Sequence, residues 1–93
     1  MAVTFHIPTY LRAFTHGEAR VDLDVVPGSV RDALRVLYEA YPGIRDRVET
    51  ELGEVRPHVN VFLGEESIRW LGGLDTPVGG ATEISIVPAV SGG

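Results

Sequence analysis

The stretch PGSVRDALRVLYEAYPG, residues 27 to 43, predicts one amphipathic helix. Ser29, followed three residues later by Asp32, resembles an N-cap with an acidic first turn. Pro42 and Gly43 predict the end of the helix, because proline disfavours helical backbone in the residue before it. The apolar residues recur at the spacing of a single helical face, and they are Val30, Ala33, Leu34, Leu37 and Tyr41.

On both sides of this helix, apolar and polar residues alternate with a period of two. This alternation is typical of half-buried strands. On the N-terminal side they span residues 2 to 8 and 18 to 25, and Gly17 predicts a turn that pairs these strands antiparallel. On the C-terminal side they span residues 58 to 63 and 82 to 87. The last strand is expected to point Ile84 and Ile86 inward and Ser85 and Val87 outward. Pro88 should stop it, since proline cannot donate to a ladder.

Shorter patterns fill the remaining chain. A second helical pattern covers residues 44 to 52, residues 64 to 67 predict a turn, and residues 68 to 71 form a short apolar piece that is interpreted as a strand. Trp70 in that piece is expected to pack in the core. The glycine pairs at 72 to 73 and at 79 to 80 are interpreted as tight turns.

The order of these elements predicts an α+β domain with the ubiquitin-like β-grasp arrangement. It would have a mixed sheet of four to five strands, one main helix across it and a short second helix. A ferredoxin-like fold is the alternative, but it requires a second long helix between later strands. We expect a β-grasp domain over residues 1–88 and a flexible C-terminal tail over residues 89–93.

Composition excludes several classes of function. The chain has 93 residues, a formal net charge of −5, no cysteine and no lysine. Scattered arginines among thirteen carboxylates argue against nucleic-acid binding, and the missing lysine excludes Schiff-base and P-loop chemistry. No apolar run approaches the roughly 20 residues of a membrane helix, and the N-terminal segment lacks a secretory signal. A cytoplasmic location is therefore expected.

No catalytic constellation is visible in the sequence. His6, His16 and His58 lack metal-ligand spacing, so no metal site is predicted. The serines show no nucleophile elbow, and Ser29 is better placed as a helix cap. Paired carboxylates such as those at 65 and 66 are interpreted as solvated surface.

The last six residues, 88 to 93, suggest a different kind of chemistry. Extended, they can span about 20 Å, and glycine at the tip permits close backbone approach to a partner. The α-carboxylate of Gly93 is then the reactive group, and as a poor electrophile it needs activation. The simplest activation is an acyl-adenylate made from ATP by a separate enzyme, which would make this chain a substrate protein and not an enzyme.

The ending EISIVPAVSGG, residues 83 to 93, resembles the C-terminal signature of the ThiS/MoaD sulfur-carrier family, a final strand followed by P-x-V-x-G-G. IPTYLR, residues 7 to 12, and HVNVFLGEESIRWLGGL, residues 58 to 74, are similar to the CysO-type carriers of cysteine biosynthesis within it. The resemblance implies that an E1-like enzyme adenylates Gly93 and that a sulfur donor converts it to a thiocarboxylate. It further implies transfer of the sulfur to an activated serine derivative on a cysteine synthase, and release of cysteine by a metalloprotease.

The resemblance also implies roles for individual residues. Gly93 would carry the sulfur, and Gly92, Val90 and Pro88 would be gripped by partner channels. Val87 falls where family members expose an apolar side chain to the partner, and Phe62 would join that patch. No cofactor is expected to be bound, because ATP is used by the activating enzyme.

Four other functions remain open from the sequence. The small subunit of molybdopterin synthase shares the same ending, and carriers of this kind also serve secondary-metabolite sulfur insertion or protein conjugation. The alternative from a different class is a non-covalent ubiquitin-like binding module. In that case the sheet surface alone binds the partner, and the tail is incidental.

Overall fold

The computed structural model describes residues 2–25, 28–80 and 83–88. These residues form one five-stranded sheet with the order β2-β1-β5-β3-β4. The strands are β1 Ala2–His6, β2 Arg20–Asp24, β3 Val59–Leu63, β4 Glu66–Ser67 and β5 Glu83–Pro88. β1 and β5 are parallel, and the other neighbours are antiparallel. This mixed sheet is the one that the β-grasp prediction requires.

Two α-helices accompany the sheet, α1 Val30–Ala40 and α2 Arg45–Val48. Short 3₁₀ helices lie at Thr9–Thr15, Pro42–Ile44, Ile68–Trp70 and Gly73–Asp75. α1 begins as predicted, because the Asp32 backbone N–H donates to Ser29 Oγ and the Ser29 N–H donates to Asp32 Oδ2, at 3.2 and 3.3 Å. This reciprocal pair satisfies two backbone donors that a helix start leaves free.

The core lies between α1 and one face of the sheet. α1 buries Val30, Ala33, Leu34 and Leu37, the residues of the predicted apolar face that lie within the helix. The sheet contributes the inward residues of its strands, which include Val3, Phe5, Val59, Val61, Ile84 and Ile86. Each is at most 1% exposed, so the predicted inward assignment of Ile84 and Ile86 is confirmed.

Of four expectations between the strands, the short second helix and the turn are confirmed in part, and the last two are wrong. The helical pattern at 44 to 52 yields an α-helix only at Arg45–Val48, because Glu49 turns to extended backbone and bridges to Val55. Residues 64 to 67 are not all turn, since Glu66 and Ser67 form β4. The piece at 68 to 71 is a 3₁₀ helix that Ser67 Oγ caps by accepting from the Arg69 N–H. Trp70 is 80% exposed and is not a core residue.

The 3₁₀ helix Thr9–Thr15 was not predicted from the sequence. It fills the connection between β1 and β2, in which only the turn at Gly17 was expected, and that turn is confirmed by a φ of 84°. Leu11 and Thr15 on this segment are fully buried. Because the segment caps one end of the core, its packing is set by tertiary contacts that a two-residue period cannot reveal.

Candidate functional site

β5 is the strand that carries the chain to the predicted reactive end. It lies in the middle of the sheet, parallel to β1 on one side and antiparallel to β3 on the other. Pro88, its last residue, lies opposite Val59 and is exposed. The strand therefore includes Pro88, one residue beyond the predicted stop, and the described part of the chain ends there. The predicted site residues Val90, Gly92 and Gly93 lie outside the described residues.

Val87 and Phe62 lie on the outer face of the sheet, opposite to the core. Val87 pairs with Asn60, and Phe62 pairs with Ser85, so the two apolar side chains are diagonal neighbours across β5 and β3. Both are half-buried. The structure thus brings together the two residues that the sequence assigned to a partner surface, and we call them the outer-face patch.

The other half of the outer face is polar and internally paired. His6 Nε2 lies 2.7 Å from Glu83 Oε1, which joins β1 to β5. The Thr4 hydroxyl donates to Asp22 Oδ1, and Arg20 Nε lies 3.3 Å from the same oxygen. The hydrogen bond from Thr4, followed by the hydrogen bond and charge of Arg20, lowers the pKa of Asp22. A period of two in the sequence separates the faces of a strand, but it gives no sign of side-chain pairing across strands.

A cleft at the same end of the sheet as Pro88 was missed by sequence reasoning. It is lined by Tyr10, Leu11, Phe14, Gly43, Asp46, Arg47, Arg56 and His58. The Arg47 guanidinium carbon lies 4.8 Å from the centre of the Phe14 ring, and Arg56 Nε donates to the Asp46 carbonyl at 2.6 Å. Burial raises the pKa of Tyr10. Two arginines against one carboxylate make this cleft favourable for an acidic partner surface.

Within residues 2–25, 28–80 and 83–88, no group of three or more histidine, cysteine, aspartate or glutamate side chains is placed to hold a metal ion. Over the same residues, no helix is long and apolar enough to cross a membrane. His6 is engaged with Glu83, and the His16 ring lies 5.8 Å from that of Tyr41. The site therefore combines a central strand, the outer-face patch beside its end, and a cationic cleft.

Comparison with known proteins gives three findings. The family model for the ThiS family matches residues 6–93. The sulfur carrier protein CysO of Mycobacterium tuberculosis is 34% identical over 97 residues, which cover all of both chains. Small archaeal modifier protein 3 of Haloferax volcanii is 39% identical over 74 residues, covering 80% of this chain and 76% of that protein.

A solved structure is also similar to this chain, in fold as well as in sequence. A chain in the crystal structure of the Amycolatopsis orientalis BexX/CysO complex superposes with a TM-score of 0.83 and 34% sequence identity. The superposition covers 98% of this chain and 99% of that one. This similarity supports the β-grasp fold of the chain.

Proposed function

The chain belongs to the ThiS family, and from this premise we propose that it is a sulfur carrier protein of the CysO kind that donates sulfur in cysteine biosynthesis. The observation that carries the proposal is the 34% identity to CysO over the whole of both chains. The family match also runs through residue 93, so it includes the glycine pair. The ending that first indicated a carrier is thus part of the similarity.

The proposed chemistry takes place at the α-carboxylate of Gly93. A carboxylate oxygen attacks the α-phosphate of ATP on an E1-like enzyme, and pyrophosphate leaves to give the acyl-adenylate. Hydrosulfide then attacks the carbonyl carbon, AMP leaves with the original carboxylate oxygen, and a proton is released. The product is a thiocarboxylate in which sulfur has replaced one oxygen, and no electrons are gained or lost.

In this proposal the folded domain presents the C-terminus to the partner enzymes and does not itself catalyse the reaction. β5 pairs with β1 as far as Ser85 and with β3 as far as Pro88, which fixes the position of the last residue before 89–93. We propose that partners grip Pro88, Val90 and Gly92 and dock on the outer-face patch of Val87 and Phe62. Apolar side chains that stay half-exposed beside such an exit are suited to burial in an interface.

The proposed partners are those that the resemblance to CysO-type carriers implies. They are an E1-like adenylyltransferase that consumes ATP, a sulfur acceptor of the cysteine synthase type, and a metalloprotease that releases the product. The cationic cleft near Pro88 supports an acidic surface on at least one of these enzymes. The carrier itself binds no cofactor in this scheme.

A second candidate function is protein conjugation. The 39% identity to small archaeal modifier protein 3 favours it, because the same acyl-adenylate can be attacked by a lysine amine of another protein in place of sulfide. The two functions differ in the acceptor and not in the carrier. They are therefore separated by the product that forms.

Intact-mass analysis tests the proposal. The purified chain is incubated with ATP, a cognate E1-like enzyme and sulfide, and we expect a mass increase equal to the difference between sulfur and oxygen, located in the terminal peptide. A variant lacking residues 92 and 93 is the matched control and should not change. An unchanged mass in the full chain contradicts the carrier function, and isopeptide-linked adducts to added protein favour conjugation.

A further inference from the structure

Arg56 lies beside the point at which residues 89–93 begin. Pro88, the last described residue, lies opposite Val59 of β3. The Val59 N–H donates to the Arg56 carbonyl at 3.0 Å, which closes a tight turn between these two residues. Because such a turn and an antiparallel pair together span about 12 Å at most, the Cα atom of Arg56 lies within that distance of Pro88.

Residues 89–93 are long enough to bring Gly93 to Arg56, since five extended residues span about 17 Å. The opposite end of the sheet is farther away. β1 is parallel to β5, and its first residue, Ala2, pairs with Asp24 of β2. Both residues lie about seven strand positions from Pro88, which is roughly 23 Å along the strands. Within one molecule, an activated Gly93 can therefore meet side chains near the start of β3 and not those beside Ala2.

An activated C-terminus reacts with amines. In the proposed acyl-adenylate, a neutral amine attacks the carbonyl carbon of Gly93, AMP leaves, the nitrogen loses a proton, and an amide remains. Lysine has an ordinary pKa of about 10.4, so a small fraction of it is the free, nucleophilic amine near neutral pH. The guanidinium group of arginine stays protonated in proteins and acts only as a hydrogen-bond donor.

The cleft near Pro88 carries positive charge without any amine. All eight basic residues counted as lysine or arginine in this chain are arginines, and Arg47 and Arg56 line the cleft. Tyr10 in the lining is a weak nucleophile, because burial raises its pKa and keeps the phenol neutral. His58, also in the lining, can form only an acyl imidazole, which passes its acyl group on to water or sulfide and leaves no lasting adduct.

We propose that Arg47 and Arg56 make this chain a donor, and never an acceptor, of its own activated C-terminus. They supply the positive charge that suits an acidic partner surface, but they offer no nucleophile to the carbonyl carbon of Gly93. The acyl group then persists until a partner presents sulfide, or, under the conjugation function, the amine of another protein. This inference rests on the proposed function, because it requires Gly93 to be activated. Copies of this chain are accordingly not joined to one another through lysine.

The test bypasses the activating enzyme. The full chain is prepared with a C-terminal thioester in place of the Gly93 carboxylate and is kept at about pH 8.5, where more lysine is neutral than at pH 7. Intact mass distinguishes the outcomes, because a cyclic product is one water lighter than the hydrolysed chain. The unmodified chain should only hydrolyse. Added sulfide should convert it to the thiocarboxylate, which verifies that the acyl group is reactive.

Lysine variants locate the effect. Arg56→Lys keeps the positive charge and adds an amine within reach, so it should form an isopeptide bond between Gly93 and position 56. A link of five residues gives an effective concentration in the millimolar range, so cyclisation should exceed dimer formation about a hundredfold at about 10 µM protein. His58→Lys places an amine in the same region and keeps the hydrogen bond from Arg56 Nε. Asp24→Lys, at the far end of the sheet, is the matched control and should hydrolyse like the unmodified chain.

The inference is overturned if Arg56→Lys and His58→Lys both hydrolyse without cyclising, or if Asp24→Lys cyclises as readily as they do. It is also overturned if the unmodified chain yields a cyclic or cross-linked product. An unchanged mass in the enzymatic loading test contradicts the carrier function itself, so the two failures are distinguishable.

Discussion

Phe62 and Val87 are diagonal neighbours on the outer face of the sheet, because Phe62 lies opposite Ser85 and Val87 lies opposite Asn60. Val87 immediately precedes Pro88, the last residue of β5 and of the described chain. An enzyme that receives residues 89–93 in a channel would therefore meet this pair at the channel entrance. The position of the pair, and not only its apolar character, suits a docking role.

We expect Val87→Asp to slow sulfur loading by the E1-like enzyme at low carrier concentration by about tenfold, since a buried interface contact becomes a charge. The effect should fall on KM and not on kcat, because the reacting carboxylate is unchanged. Loading rates measured by intact mass across carrier concentrations separate the two parameters.

Asp24→Asn is the matched control, because Asp24 is also an outer strand residue but lies on β2, at the edge of the sheet. It should load like the unmodified chain. Equal KM values for Val87→Asp and Asp24→Asn would remove the outer-face patch from the docking surface.

Truncation after Pro88 tests whether the domain folds without residues 89–93. We expect its free energy of unfolding to stay within about 0.5 kcal/mol of the full chain, because the core residues of β5 precede the cut. Ile86→Ala is the comparison variant, and its buried site should cost about 2–5 kcal/mol. Urea unfolding followed by circular dichroism gives both values, and a large loss on truncation would contradict the division at residue 88.

Strands and the main helix could be predicted because their signals are local. The alternation of Ile84 and Ile86 with Ser85 and Val87 fixes the faces of β5, and the Ser29 and Asp32 spacing fixes the start of α1. The exposure of Trp70 could not be predicted, because residues 68 to 70 form a 3₁₀ helix and not the strand that their apolar pattern indicated. The cleft near Pro88 is lined by Tyr10, Arg47 and His58, which are far apart in sequence. No local sequence pattern could therefore predict it.

Ser29→Ala removes the side-chain half of the capping box at α1. The Asp32 backbone N–H then loses its acceptor, and we expect a loss of about 1 kcal/mol in the free energy of unfolding. Ser85→Ala, on the sheet and away from any helix start, should cost less. A Ser29→Ala variant with unchanged stability would show that water or a neighbouring group replaces the cap.

The Tyr38 hydroxyl donates to Glu49 Oε2 and so links α1 to the segment after α2. Glu49 is only 8% exposed, so Tyr38→Phe leaves a buried carboxylate without this donor and should cost about 1–3 kcal/mol near neutral pH. Burial, and then the hydrogen bond to Glu49 and its charge, raises the pKa of Tyr38 far above the usual value of 10.0.

This shift makes the effect of Tyr38→Phe depend on pH. A pKa that is higher in the folded than in the unfolded chain stabilises the fold fully below the unfolded value, and the stabilisation is lost as pH rises through about 10 and above. The difference in unfolding free energy between the unmodified chain and Tyr38→Phe should therefore shrink from pH 9 to pH 11, as about 1.4 kcal/mol per pH unit is the limiting slope for one proton. All other side chains are identical in the two proteins, so the comparison isolates Tyr38. A difference that stays constant over this range would mean that the phenol of Tyr38 is not held in its neutral form by the fold.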